Sequence, residues 1–227
     1  MNVLGLDTST VAAAACLIRG DGRAFEVTPA ARDLTGPPAH ARELMPAVAR
    51  VIADAELDFA DLDAVAVGTG PGAFTGLRIG ITTARALAAA RGLPLRQVSS
   101  LAALAAGVDA PLALAVLDAR RGEVFAALHE RAERRWAPLV SPPEALAERV
   151  LAAGLTPVTV GDGAIRYRRE FEAAGARIPP EESPSHVVRA LAVCRLAMHV
   201  APVAPEAVLP EYLRMPDAVP PHQTPRP

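Results

Sequence analysis

The chain has 227 residues, 51% hydrophobic but only 4% aromatic, with a formal net charge of −2. That length can bury a core as one domain or two small ones, built chiefly from Ala, Val, Leu and Ile. The charge leaves no global basic field for nucleic acid, and every basic residue is arginine, which excludes a Schiff-base lysine, a lysine general base and a phosphate-loop lysine.

Val3 to Leu6 is a short apolar strand ending in Asp7, and Asp7 to Thr10 turns into a second strand, Val11 to Ile18. Asp21-Gly22 is a hairpin signal before a third strand, Arg23 to Val27. Leu44, Val48, Val51, Ile52 and Ala55 recur on one face and predict a helix from His40 to Ala55, with Pro46 tolerable near its start. Ala64 to Val67 reads as a buried strand. The glycine-rich loop 68–72 follows, then a helix from Thr75, its expected cap, to Arg91, ended by Gly92 and Pro94.

Leu112 to Leu117 is again an apolar strand ending in an aspartate, Asp118, followed by a tight turn through Gly122 and a strand from Glu123 to His129. A helix at 143–153, a strand at 157–160, the turn Gly161-Asp162-Gly163 and a helix at 187–199 complete the folded part. Residues 216–227 hold five prolines in twelve and read as a disordered tail.

The two halves share a plan of apolar strand, aspartate, tight turn and second strand. The expected fold is α/β, a duplicated actin-like ATPase fold (RNase H-like), with subdomains at 1–107 and 108–215. In such folds the two strand-end aspartates face each other across a nucleotide cleft. Cys16 and Cys194 lie in apolar stretches and are expected as buried free thiols. The start lacks a basic segment, and no apolar run reaches membrane-spanning length, so a cytoplasmic location is expected.

The segment 67–88, VGTGPGAFTGLRIGITTARALA, carries the strongest local signal. Its glycines allow close backbone approach, and a helix N-terminus after such a loop suits an anion. It is not a P-loop, because the lysine is absent. Gly76, Gly80, Ala84 and Ala88 form a ridge of small residues that suits close helix packing, either inside the chain or with a second chain.

LGLDTST at the start, HARELMP at 40–46, GPGAFTGLRIG at 70–80, VSSLAAL at 98–104, LDARRGEVF at 117–125, GDG at 161–163 and PEYLR at 210–214 resemble the TsaB (YeaZ) family in family order. In the loop only Ala73 departs from the family pattern. The resemblance implies a non-catalytic subunit in the making of threonylcarbamoyladenosine, at N6 of the adenosine next to the anticodon of tRNAs reading codons that begin with A. It implies a TsaD-type transferase as partner, a TsaE-type ATPase in the same complex, a homodimer, and tRNA reached through the complex.

The resemblance also places the partner surface on the two first-half helices. Leu44, Met45, Val48, Ala49 and Ile52 on the first and Gly76, Leu77, Gly80, Ile81, Ala84 and Leu87 on the second are expected to form that surface, pairing with the same two helices of another chain. Transferase members carry a His-x-x-x-His metal pair on the first helix; here His40 is followed by Leu44, so no metal site is expected. After the second aspartate, where ATP-using members place glycines, this chain has Ala119-Arg120-Arg121. Asp7, Thr8, Asp118, Gly161 and Gly163 are therefore expected to outline a vestigial nucleotide cleft, with no catalytic residue and no cofactor.

The alternatives are a stand-alone kinase or ATPase of the same fold, which needs an open phosphate loop, and a peptidase, which needs a nucleophile–base pair or a metal. Ser99-Ser100 reads as a helix cap rather than a nucleophile, and no Gly-x-Ser-x-Gly elbow occurs. His129, His186, His199 and His222 are dispersed. Arg131, Arg134 and Arg135 read as a solvated basic cluster, with contact to tRNA phosphates as the other reading.

Overall fold

The computed structural model describes residues 1–131 and 133–214; the tail expected to be disordered lies outside them. The first half contains β1 (Val3–Asp7), β2 (Ala14–Ile18), β3 (Ala24–Val27), α1 (His40–Asp54), β4 (Ala64–Gly68), α2 (Phe74–Arg91), β5 (Leu95–Val98) and α3 (Ser100–Ala106). The second contains β6 (Leu112–Arg120), β7 (Glu123–Glu130), β8 (Glu133–Ser141), α4 (Pro143–Ala152), β9 (Val158–Val160), α5 (Asp162–Arg166) and α6 (Arg168–Ala173), and α7 (Ala190–Ala197) follows.

The strand orders are β3-β2-β1-β4-β5 and β8-β7-β6-β9. In each sheet a three-stranded antiparallel meander continues into a parallel neighbour: β1 pairs antiparallel with β2 and parallel with β4, and β6 repeats this with β7 and β9. This is the duplicated actin-like plan, with β1 and β6 as equivalent central strands.

Strand alternation sorts the core into layers. Leu4, Leu6, Leu17, Val65 and Val67 pack against α1 and α2. The opposite face of that sheet, with Val3, Cys16 and Ala66, meets α7, which packs on α3, and α3 covers Ala113, Ala115, Leu117 and Ala127 of the second sheet. The outer face of the second sheet, with Leu114, Val116 and Leu128, packs on α4 and α6 around Phe171. Alanine dominates the central layer, so α3 and α7 fit between the two sheets without bulky aromatic filler.

A division at 107/108 separates the sheets but not the packing. Helix α7 lies on β1 and β2, Val203 bridges to Leu95, and the Glu211 N–H donates to Thr69 O at 2.8 Å. The C-terminal segment thus belongs spatially to the first half, because the apolar faces of β1 and β2 require a cover that 1–107 does not supply. Cys16 and Cys194 are buried free thiols.

The first strand of the hairpin begins at Ala14 rather than Val11, since the turn after Asp7 extends through Ala12. Helix α2 starts at Phe74, and Thr75 does not cap it; Ala73 occupies the cap position without a side-chain bond. Gly161-Asp162-Gly163 is the start of helix α5 rather than a free turn.

Candidate functional site: the cleft between the halves

The C-terminal ends of β1 and β6 converge on a cavity of about 630 Å³, lined by Ser9, Thr10, His40, Gly72 to Thr75, Asp118 to Arg121, Asp162 and residues 211–214. Asp118 stands on this cavity. Asp7 lies beneath it, 2% exposed. Asp7 Oδ1 accepts from the Ser9 N–H at 2.8 Å and from Ser9 Oγ at 2.6 Å, and Oδ2 accepts from Ser100 Oγ at 2.7 Å. Burial raises its pKa despite the bonds from Ser9 and Ser100. Ser100 is therefore not a cap but a buried link, since its Oγ also accepts from the Gly70 N–H at 3.1 Å. Ser99 takes the cap position without capping.

Asp118 is held by cations. Its Oδ2 is 3.1 Å from both Arg120 Nη1 and Arg166 Nη1, its Oδ1 accepts from the Arg120 N–H at 2.9 Å, and its side chain is 5% exposed. Arg120 and Arg121 have φ of 64° and 56°, left-handed backbone that costs a non-glycine residue roughly 1 kcal/mol or more. The turn keeps the glycine-like backbone but carries two long cationic side chains.

Asp162 Oδ1 accepts from the Asp118 N–H at 3.0 Å and the Gly163 N–H at 2.9 Å. Burial, aided by the nearby Asp118 charge, pushes its pKa up to about 6. Gly161, at φ 114°, leaves no room for a Cβ beside Val116 O, and its N–H donates to His186 Nδ1 at 3.2 Å. His186 Nε2 lies 3.2 Å from Pro179 O, so Nε2 carries the proton. Gly161 and Gly163 pack against β6 rather than presenting free backbone to the cavity.

The side chains of Arg120 and Arg166 are engaged with Asp118, Asp7 accepts three hydrogen bonds from Ser9 and Ser100, and Gly161 and Gly163 are packed against β6. His40 lines the cavity with an unpartnered Nδ1, but Leu44, one turn on, is 1% exposed within the core and offers no ligand. Among the described residues no group of three His, Cys, Asp or Glu side chains is placed to hold a metal.

The ridge on α2 faces inward, which corrects the expectation that it forms an outward groove. A Cβ on Gly76 would collide with Thr8 O, and one on Gly80 with Thr8 Oγ1; Thr8 Oγ1 donates to Gly76 O at 2.7 Å. Leu44, Val48, Leu77, Ile81 and Ala84 are also buried within this chain, because the same faces cover β1, β2 and β4. Of the eleven residues expected at the partner surface, Met45 and Ala49 are exposed, and Ile52 and Leu87 are half-buried.

One exposed feature beside the cleft was not legible in the sequence. Phe74 and Tyr212, 52% and 46% exposed, stack with centroids 5.5 Å apart. The Arg78 guanidinium lies 3.8 Å over Phe74 and its Nε donates to Tyr212 Oη at 3.1 Å. The PEYLR segment is the source: Glu211 is tied to Thr69, and Arg214 reaches Ala119 O at 3.1 Å and pairs with Glu123. It straps the two halves together along the cleft.

Comparison with known proteins agrees with this architecture. A model of the family described as TsaD, tRNA N6-adenosine threonylcarbamoyltransferase, matches residues 37–155. An uncharacterized Mycobacterium leprae protein is 43% identical over 62% of this chain, which spans 39% of that protein's length. The Escherichia coli tRNA threonylcarbamoyladenosine biosynthesis protein TsaB is 36% identical, over 72% of each chain. The solved structure of YeaZ from Pseudomonas aeruginosa superposes with a TM-score of 0.74 at 30% identity, covering 92% of this chain and all of that one. With this fold, these motifs in their order and these relatives, the chain belongs to the TsaB (YeaZ) family.

Proposed function

We propose that this chain is a non-catalytic subunit that a TsaD-type transferase requires to place the threonylcarbamoyl group on N6 of the adenosine next to the anticodon. The observation that carries this reading is the state of the cleft. Its two strand-end aspartates are committed to Ser9, Ser100, Arg120 and Arg166, which leaves an intact fold whose two central carboxylates are tied up within the chain. The name of the E. coli relative supports the pathway.

In this reading the partner surface is the outward side of the first-half helices, around Met45 and Ala49. The transferase and a second copy of this chain compete for it. A TsaE-type ATPase joins the complex, tRNA is reached through it, and all of this takes place in the cytoplasm. The test is reconstitution with the TsaD-type and TsaE-type proteins of the same organism. Modification of tRNA should require this chain, and a pull-down should retain the transferase. Full modification with this chain omitted would reject the reading.

A further inference from the structure

A cavity of about 670 Å³ shares no lining residue with the cleft; it is walled by α3, the 108–111 loop, α7 and the β7–β8 hairpin. His129 lines it, yet is only 5% exposed. His129 Nδ1 is sealed from solvent with no hydrogen-bond partner, a state that buried polar atoms rarely occupy without a missing ligand or water to account for it. A neutral imidazole carries one N–H; borne on Nδ1, it has no acceptor within the chain and is left to donate to a ligand or water.

Arg134 stands directly across the strand pair from His129 and lines the same cavity with Arg131. The neighbouring Arg135 is paired with Glu130 at 3.2 Å. Among the described residues, Arg131 and Arg134 have no carboxylate partner within ion-pair distance, and Asp109 is the lone acid in the lining. Arg131 is held at φ 56° by its N–H to Pro111 O at 2.8 Å, so the hairpin keeps a cation at a position that glycine would occupy with less strain. Burial, then the Arg134 charge, lowers the pKa of His129 and keeps it a neutral donor.

We propose that this cavity binds the phosphate of a nucleotide, free or within RNA, through the guanidiniums of Arg131 and Arg134 and the imidazole of His129. Guanidinium forks match phosphate oxygens in pairs. The alanine wall formed by Ala102, Ala105 and Ala106 gives the sugar or base an apolar seat, and the volume falls in the roughly 300–1,000 Å³ range of small-molecule sites.

The test titrates the full chain with inorganic phosphate, adenosine 5′-monophosphate and a mixed-sequence twelve-nucleotide RNA, reading the His129 imidazole signals by NMR. At least one probe is expected to bind with Kd below about 1 mM, around −4 kcal/mol, to shift His129, and to weaken tenfold or more in Arg134→Glu. If that variant melts early, Arg134→Gln replaces it. Tighter binding of the RNA assigns the phosphate to a backbone; tighter binding of the monophosphate assigns a free nucleotide. Failure of all three probes to shift His129, or binding unchanged in the Arg134 variant, would overturn the proposal. Neither result depends on whether the chain engages a transferase.

Discussion

Ser100 Oγ donates to Asp7 Oδ2 across 2.7 Å and 93 residues of sequence, joining the end of the first strand to the start of α3. The same hydroxyl accepts from the glycine loop at Gly70. Ser100→Ala strands a buried carboxylate oxygen and a buried N–H, which should cost about 1–3 kcal/mol. At this chain length each kcal/mol lowers Tm by roughly 2–4 °C. A calorimetric melt within a degree of wild type would show that this bond does not hold the loop.

The raised pKa of Asp162 sets a pH dependence. In the unfolded chain its carboxyl has the usual value of 3.8, and in the fold about 6. Between these the folded state holds the extra proton, so stability falls as pH rises from 3.8 toward 6 and then levels off. The size is at most ~3 kcal/mol. Asp162→Asn keeps an oxygen to accept from Asp118 and Gly163. It should flatten the slope in this window and stabilise the protein at pH 7. Denaturant melts from pH 4 to 7 measure it, and an identical slope in the variant would assign the titration elsewhere, Asp7 being the next raised carboxyl.

Gly80 and Met45 separate packing from partnership. Gly80→Leu must displace Thr8 and should cost about 1–3 kcal/mol through overpacking, with loss of assembly only as a consequence of unfolding. Met45 is 49% exposed. Met45→Glu should leave the melt within roughly 0.5 kcal/mol yet weaken both self-association and transferase capture. Light scattering and pull-down on a folded Met45→Glu protein decide this, and unchanged assembly would move the partner surface off α1.

The cleft should bind MgATP weakly, with no isotherm tighter than about 100 μM, on the order of −5.5 kcal/mol. The reason is that the Arg120 and Arg166 guanidiniums already neutralise Asp118. A micromolar isotherm that disappears in Asp118→Asn would show the cleft is a working nucleotide site.

Arg214 joins the C-terminal strap to the second sheet through Ala119 O and Glu123. Arg214→Ala should raise amide exchange at residues 208–214 and at 119–123 while leaving α4 to α6 protected. Exchange unchanged at both places would mean that Glu211 and Tyr212 alone hold the strap.

Local sequence pattern determined much of this protein. The buried face of α1 has period 3.6, the runs of β1, β4 and β6 are short and continuously apolar, and with the paired strand-end aspartates these local patterns indicated the duplicated plan. The motif order carried the family. What periodicity does not encode is which of two apolar neighbours a face meets. The small ridge of α2 suits a foreign helix and its own Thr8 equally well in one dimension, and only the three-dimensional approach of Thr8 to Gly76 and Gly80 selected the second. The hydroxyl of Ser100 looked like a cap because its partner, Asp7, is 93 residues away. Arg131 and Arg134 read as part of a solvated basic cluster and His129 as a dispersed histidine until the β7–β8 register set them around one cavity beside α3. Contacts of that kind follow from sheet pairing and from helices layered between sheets, so tertiary structure alone decided them.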